Sequence, residues 1–174
     1  MKAFAFLISF FLSLGVFQLN AQEVEWMSFE EAIRAQEVKP KKIFIDMYTD
    51  WCKWCKLMDR TTFEDPLIAE YINHNFYAVK FDAEYEGDIQ YKGETYELIG
   101  NGRQKPYHEL AALLARNRLS YPTMIFLNEK GDVIQPVPGY QDSKSFEVIM
   151  TFIGGDHYMD IPWGQYQSNF ESSY

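Results

Sequence analysis

Ile43-Phe44-Ile45-Asp46-Met47-Tyr48 is a near-continuous apolar run of β-branched and aromatic residues. The only two cysteines of the 174-residue chain follow within seven positions of its end, in Trp51-Cys52-Lys53-Trp54-Cys55-Lys56. A run without the polar alternation of a half-exposed strand belongs at the centre of a sheet covered on both faces. Helices can supply that cover, and together with the order of the remaining elements, two of them an antiparallel hairpin near the end, the run predicts an α/β architecture with a mixed central sheet and helices on both faces. Its single acid, Asp46, stands out, because a charge in such a strand is costly unless it is compensated. The run also delivers the chain to the cysteines, which open a helix-like stretch.

A purely structural staple would be poorly placed here. Closing a ring of about four residues restricts the unfolded chain by roughly 2 kcal/mol, against about 4 to 5 for a hundred-residue loop. Reactivity explains the pair better. At the first turn of a helix, unpaired backbone N–H groups and the helix dipole favour a negative sulfur, so Cys52 is expected to be the solvent-reachable nucleophile. Lys53 and Lys56 add positive charge, partly offset by Asp50. Cys55, one turn deeper, would resolve the mixed disulfide from within the same helix. A zinc site would need two further ligands, and only His74, His108 and His157 are on offer, without a paired spacing, so no metal is expected.

Asp46 lies six residues before Cys52. Burial would raise its pKa and let it exchange a proton with Cys55; a carboxylate satisfied by backbone or water is the alternative. Trp51 and Trp54 flank the pair with apolar surface fit to dock an extended polypeptide, or else cover the core. Tyr121-Pro122-Thr123 opens a strand, where proline calls for an edge position or a cis bond. If cis, it would leave the backbone of Tyr121 free to pair with a substrate strand.

Residues 1–21 read as a secretory signal peptide. Lys2 supplies the positive end, an apolar stretch runs from Ala3 to about Phe17, and Leu19-Asn20-Ala21 ends on a small residue. The stretch falls short of the roughly 20 residues of a spanning helix, so a retained anchor is the lesser alternative. Export would place the cysteines where a disulfide persists, in the periplasm or outside the cell. The formal net charge of −9 argues against nucleic acid as a partner, and the short basic run Lys39, Lys41, Lys42 does not change that.

The remaining elements are marked by local signals. Ser28 with Glu31 forms a capping box that predicts a helix over 29–37. Asp65-Pro66 starts another, extending to about Asn73, and 76–81 reads as a strand. Residues 89–96 alternate around Lys92-Gly93 as a hairpin, 106–116 reads as a helix, and 123–127 with 132–135 flank a turn at Asn128-Glu129-Lys130-Gly131. Asp142 caps a final helix that Gly154-Gly155 stops. The aromatic tail, 156–174, is expected either to dock as a short helix or to be disordered.

Together, Asp46, Trp51-Cys52-Lys53-Trp54-Cys55-Lys56, Tyr121-Pro122-Thr123 and Gly139 resemble the thioredoxin superfamily over roughly residues 41–155. The stretch from Tyr48 through Thr61-Thr62-Phe63 to Asp65-Pro66 is most similar to exported thioredoxin-like domains, including the C-terminal domain of DsbD-type transmembrane reductases. The resemblance implies a three-layer thioredoxin-like fold over 22–174, with an inserted hairpin and helix at about 84–118. It also implies Cys52 as nucleophile, Cys55 as resolving thiol, Asp46 as proton relay and Pro122 in cis. Lys53-Trp54 replaces the Gly-Pro of ordinary thioredoxin, which leaves the direction of electron flow open.

The expected activity is that of an exported thiol–disulfide oxidoreductase. It would act on cysteine-containing exported proteins through Cys52, Cys55 and Asp46, with Trp51, Trp54, Tyr121 and Pro122 at the substrate. No bound cofactor is expected, and a membrane-bound reductase is the implied electron donor. The rival reading is a non-catalytic binding module that kept the scaffold.

Overall fold

The computed structural model describes residues 22–100, 102 and 105–174; the leader expected over residues 1–21 lies outside them. Five strands form the main sheet: β1 (Trp26–Met27), β2 (Lys42–Tyr48), β3 (Phe76–Asp82), β8 (Thr123–Leu127) and β9 (Val133–Pro138). Their order is β1-β3-β2-β8-β9, with β2 in the middle. The first three run parallel, and β8 and β9 return antiparallel. Between β3 and β8 stand two small ribbons, β4 (Ile89–Tyr91) with β5 (Glu94–Tyr96) and β6 (Leu98–Ile99) with β7 (Tyr107–His108). The helices are α1 (Phe29–Val38), α2 (Lys53–Met58), α3 (Pro66–Asn75), α4 (Glu109–Leu114), α5 (Ser143–Gly154), α6 (His157–Asp160) and α7 (Trp163–Asn169).

The two-residue period of a strand divides the core into two layers. Ile43, Ile45 and Met47 of β2 join Val79, Phe81, Ile125 and Leu127 against Phe29 and Ala32 of α1 and Leu110, Ala111 and Leu114 of α4. Phe44, on the opposite face, packs with Phe76, Ala78, Met124 and Phe126 under Met58, Ile68, Ile72, Phe146 and Met150. The rings of Trp26, Phe63, Phe76, Phe126 and Phe146 surround Phe44 at centroid separations of 5.4–6.4 Å. Burying each such ring contributes about 1.5–3 kcal/mol. By the same alternation Asp46 and Lys80 point to the Phe44 face, the one that carries α2.

Local signals account for most boundaries. Ser28 accepts from the Glu31 amide at 3.2 Å and the Glu31 carboxylate accepts from the Ser28 amide at 2.8 Å, which starts α1. Asp65 and Asp142 cap α3 and α5. At the β4–β5 turn, Lys92 and Gly93 both have positive φ, 52° and 83°, the conformation a two-residue hairpin requires.

Three elements differ from the sequence reading, and the tail takes the docked form of its two expected alternatives. β1 was not foreseen; two residues are too few for a pattern, and its pairing with Ala78 and Val79 makes it a strand. The helix expected from Pro106 begins at Glu109, because Tyr107 and His108 pair with Leu98 and Ile99 and the His108 ring caps the helix, its Nδ1 accepting from the Leu110 amide at 3.2 Å. β9 runs on to Pro138; its prolines are tolerated because β9 is an edge strand. The tail forms two short helices, with Tyr158, Trp163 and Tyr166 packed on Phe152 and the buried Glu147 accepting from Ser172 Oγ at 2.6 Å.

Candidate active site

β2 ends at Tyr48, and the turn that follows places Cys52 at the N-cap of α2, with its amide donating to the Thr49 carbonyl at 3.0 Å. Cys52 and Cys55 are joined in a disulfide, with their Cα atoms 5.3 Å apart. The Cys55 amide donates to Cys52 Sγ at 3.0 Å. That N–H is one of the unpaired donors of a helix start, so a sulfur at this position is the one on which negative charge is stabilised. Exposure does not separate the two cysteines as the sequence reading expected: Cys52 is 4% exposed and Cys55 2%. Position at the helix start distinguishes them instead. Lys53 and Lys56 are both exposed.

Asp46 is 1% exposed. Burial lifts its carboxyl from an ordinary 3.8 to about 6, with the nearby Asp59 adding to the rise and the Lys80 ammonium opposing it. Lys80 stands beside Asp46 in the parallel register of β2 and β3 and donates to Asp46 Oδ2 and to Asp59 Oδ1. Burial would lower the Lys80 pKa, but the two carboxylates outweigh it and the net direction is up. The rings of Tyr48, Trp26 and Phe63 lie 5.0–5.5 Å from the ammonium. Among the described residues no hydrogen bond joins Asp46 to either cysteine, and its Oδ1 is buried without a partner. An acceptor so placed has room for one proton or one ordered water.

Asp59 opens a π-helical turn, Asp59–Phe63, that continues α2. Interruptions of this type are frequent at functional sites. Here the turn also ties the site to the β9–α5 loop, with Thr62 Oγ1 donating to the Gln141 carbonyl at 2.7 Å and Thr61 Oγ1 lying 3.1 Å from the Tyr140 hydroxyl. Sequence reasoning found Asp46 but missed Lys80 and Asp59.

The aromatic residues stand at the mouth. Trp51 is 48% and Trp54 60% exposed. Trp51 meets the Tyr121 ring edge-on at 5.6 Å and its indole N–H donates to Glu84 Oε1 at 2.8 Å. Trp54 packs on Tyr140 at 5.6 Å. The Tyr121–Pro122 bond is cis. Thr123 pairs with Met47, so Pro122 stands one residue further on, level with the end of β2, and its carbonyl accepts from Gly139 at 2.8 Å. An apolar cleft of about 520 Å³ between β9, α5 and the tail includes none of these residues. No helix of the described residues is long and apolar enough to cross a membrane.

Residues 11–137 match the family Thioredox_DsbH, described as a protein of unknown function, DUF255. The thiol:disulfide interchange protein DsbD of Citrobacter koseri is 28% identical over 112 residues, covering 63% of this chain and 16% of that protein. The chain thus spans a small part of that relative's length. Among solved structures, a thioredoxin from Thermus thermophilus superposes with a TM-score of 0.57 at 15% identity, covering 78% of this chain and 93% of that one. A DsbH oxidoreductase superposes at 0.54 with 16% identity, covering 77% and 85%. Both likenesses establish the thioredoxin-like fold.

Proposed function

The chain belongs to the Thioredox_DsbH family, among thioredoxin-like thiol–disulfide oxidoreductases, and we propose that it is an exported protein-disulfide reductase whose working unit is residues 22–174. The observation that carries this reading is the Cys52 sulfur at the α2 N-cap, held by the Cys55 amide. In the reduced protein the Cys52 thiolate attacks a substrate disulfide, forming a Cys52–substrate disulfide and releasing one substrate thiolate. Cys55 then attacks Cys52, re-forming the internal disulfide and releasing the second substrate thiolate. Two electrons pass to the substrate, so an external dithiol donor must restore the pair; a membrane-bound reductase fills that role in this reading.

Asp46 takes the Cys55 proton as that thiol becomes nucleophilic. Its unpartnered Oδ1 and a pKa of about 6 suit it to hold a proton briefly near neutral pH. A water molecule would complete the path, since no direct bond to the cysteine exists. Lys80, held in turn by Asp59, keeps Asp46 from rising further. Trp51, Trp54 and Tyr121 offer apolar surface to an extended substrate, and the Tyr121 backbone beside Pro122 offers it strand-like hydrogen bonds.

Reduction of insulin disulfides, followed as turbidity, tests the reading. Cys52→Ser should abolish turnover, and Cys55→Ser should accumulate mixed disulfides that a non-reducing gel displays. Full activity of Cys52→Ser sinks the mechanism. A native disulfide that resists strong dithiol reductants would favour the binding-module reading instead.

A further inference from the structure

The inserted segment brings two charged side chains to Trp51, the residue before Cys52. Glu84 accepts the indole N–H at 2.8 Å, and the Lys105 ammonium stands 3.4 Å from the ring centroid. A carboxylate on the N–H makes the indole more electron-rich and so a better seat for a cation. Neither group hangs on a free tether. Pro106 restricts the backbone of Lys105 to extended conformations. Two residues after Pro106, the fully buried His108 fastens the segment to the body, its amide donating to the Ala83 carbonyl at 2.7 Å and its Nε2 lying 3.0 Å from the Gly87 carbonyl.

Lys42, Lys80 and Lys92 each pair with a carboxylate, whereas Lys105 forms no salt bridge among the described residues. Its charge is exposed and rests on a half-exposed ring. The opposite wall of the mouth differs. Trp54 packs on Tyr140, whose hydroxyl is braced by Thr61, and no cation lies over the Trp54 ring among the described residues. Among the described residues the Trp54 ring is therefore met only by an aromatic partner, whereas the Trp51 ring carries a cation on its face and a carboxylate on its N–H.

We propose that Lys105 is a specificity-determining residue that selects disulfides flanked by an aspartate or glutamate. This rests on the reductase reading and adds its substrate class. An acidic side chain next to the reacting substrate cysteine pairs with Lys105 across the face of Trp51. The nearby acids, Asp50 and Glu84, would repel such a segment, whereas Lys105 offers it an attractive charge held over the Trp51 ring.

The test uses disulfide-bridged peptides that differ only in the residue beside one cysteine: Glu, Gln or Lys. The reduced wild-type protein should favour Glu over Gln in kcat/KM by about two- to fivefold, the range of an exposed ion pair. The preference should fade as salt rises from 0.05 to about 0.5 M, where charges a few ångströms apart become screened. Lys105→Glu should invert the order, and Lys105→Met should remove it. Equal turnover of all three peptides by the wild type, or an order unchanged in Lys105→Glu, overturns the selection while leaving the reductase reading intact. No turnover of the Gln peptide by the wild type overturns both.

Discussion

Replacing Asp46 by Asn isolates what a carboxyl costs at the centre of this sheet. The folded-state pKa of about 6, against an ordinary 3.8, is a rise of about two units. At 1.36 kcal/mol per unit this amounts to about 3 kcal/mol. Between those two values the folded protein keeps a proton that the unfolded chain has released, so stability falls as pH rises through that window and the full cost is present above about pH 6. Asn does not titrate. Because the unfolded carboxyl is already half ionised near pH 4, the stability of Asp46→Asn relative to wild type should grow by about 2.5 kcal/mol between pH 4 and pH 7.5. The offset at pH 4 is a separate matter. An amide donor at the unpartnered Oδ1 position costs about 1–3 kcal/mol, but it does so at every pH. Urea unfolding of the oxidised proteins at pH 4, 5, 6 and 7.5 reads the growth directly. With m between about 1 and 3 kcal/mol/M, the gap between midpoints should widen by about 1–3 M. A gap that stays constant, or narrows toward neutral pH, refutes the assignment of Asp46 as a carboxyl destabilised by burial.

Lys80→Met removes the charge that holds Asp46 down, so the pH profile of insulin reduction should move to the alkaline side, and Lys80→Arg should restore it; identical profiles for all three proteins would detach Lys80 from the site. Ser28→Ala deletes the hydroxyl arm of the α1 capping box while leaving the backbone amide of residue 28 to donate to Glu31, and should cost about 1 kcal/mol, or about 2–4 °C in Tm for a protein of this size. Because α1 packs on the sheet face opposite α2, the insulin assay at 25 °C should not register this change; slower reduction in Ser28→Ala would contradict the separation of the two layers.

The parts of the fold legible in the sequence are those whose signal is local. Ser28 with Glu31, Asp65 with Pro66, and Asp142 each satisfy backbone donors within three residues, and the structure uses them as caps. The run Ile43–Tyr48 declares a central strand because both faces are apolar. The elements that escaped depend on distant partners. Tyr107 and His108 extend because Leu98 and Ile99 lie alongside, and Trp26 and Met27 become a strand only against Ala78 and Val79. The π-turn after α2 has no composition of its own. Thr61 Oγ1 bonds back to the Leu57 carbonyl at 2.9 Å, and Thr62 and Tyr140 tie it to a loop some eighty residues away.

The site divides along the same line. Two cysteines three apart are visible to inspection, and so is an acid in an apolar strand. Lys80 was hidden by register, yet a trace of it was available. The strand 76–81 holds one charge, as does the run 43–48, and the two signs are opposite. A lone buried charge in either strand would be strongly destabilising, and placing the strands side by side, Asp46 opposite Lys80, removes most of that penalty. Asp59 follows from helix geometry once Lys80 is placed. It lies four residues after Cys55 on the same helical face, and its own amide donates to the Cys55 carbonyl. The helix that carries the resolving cysteine thereby also carries the second acceptor for Lys80. Any shift of α2 that accompanies opening of the disulfide would alter the Asp59–Lys80 contact, and through it the proton affinity of Asp46.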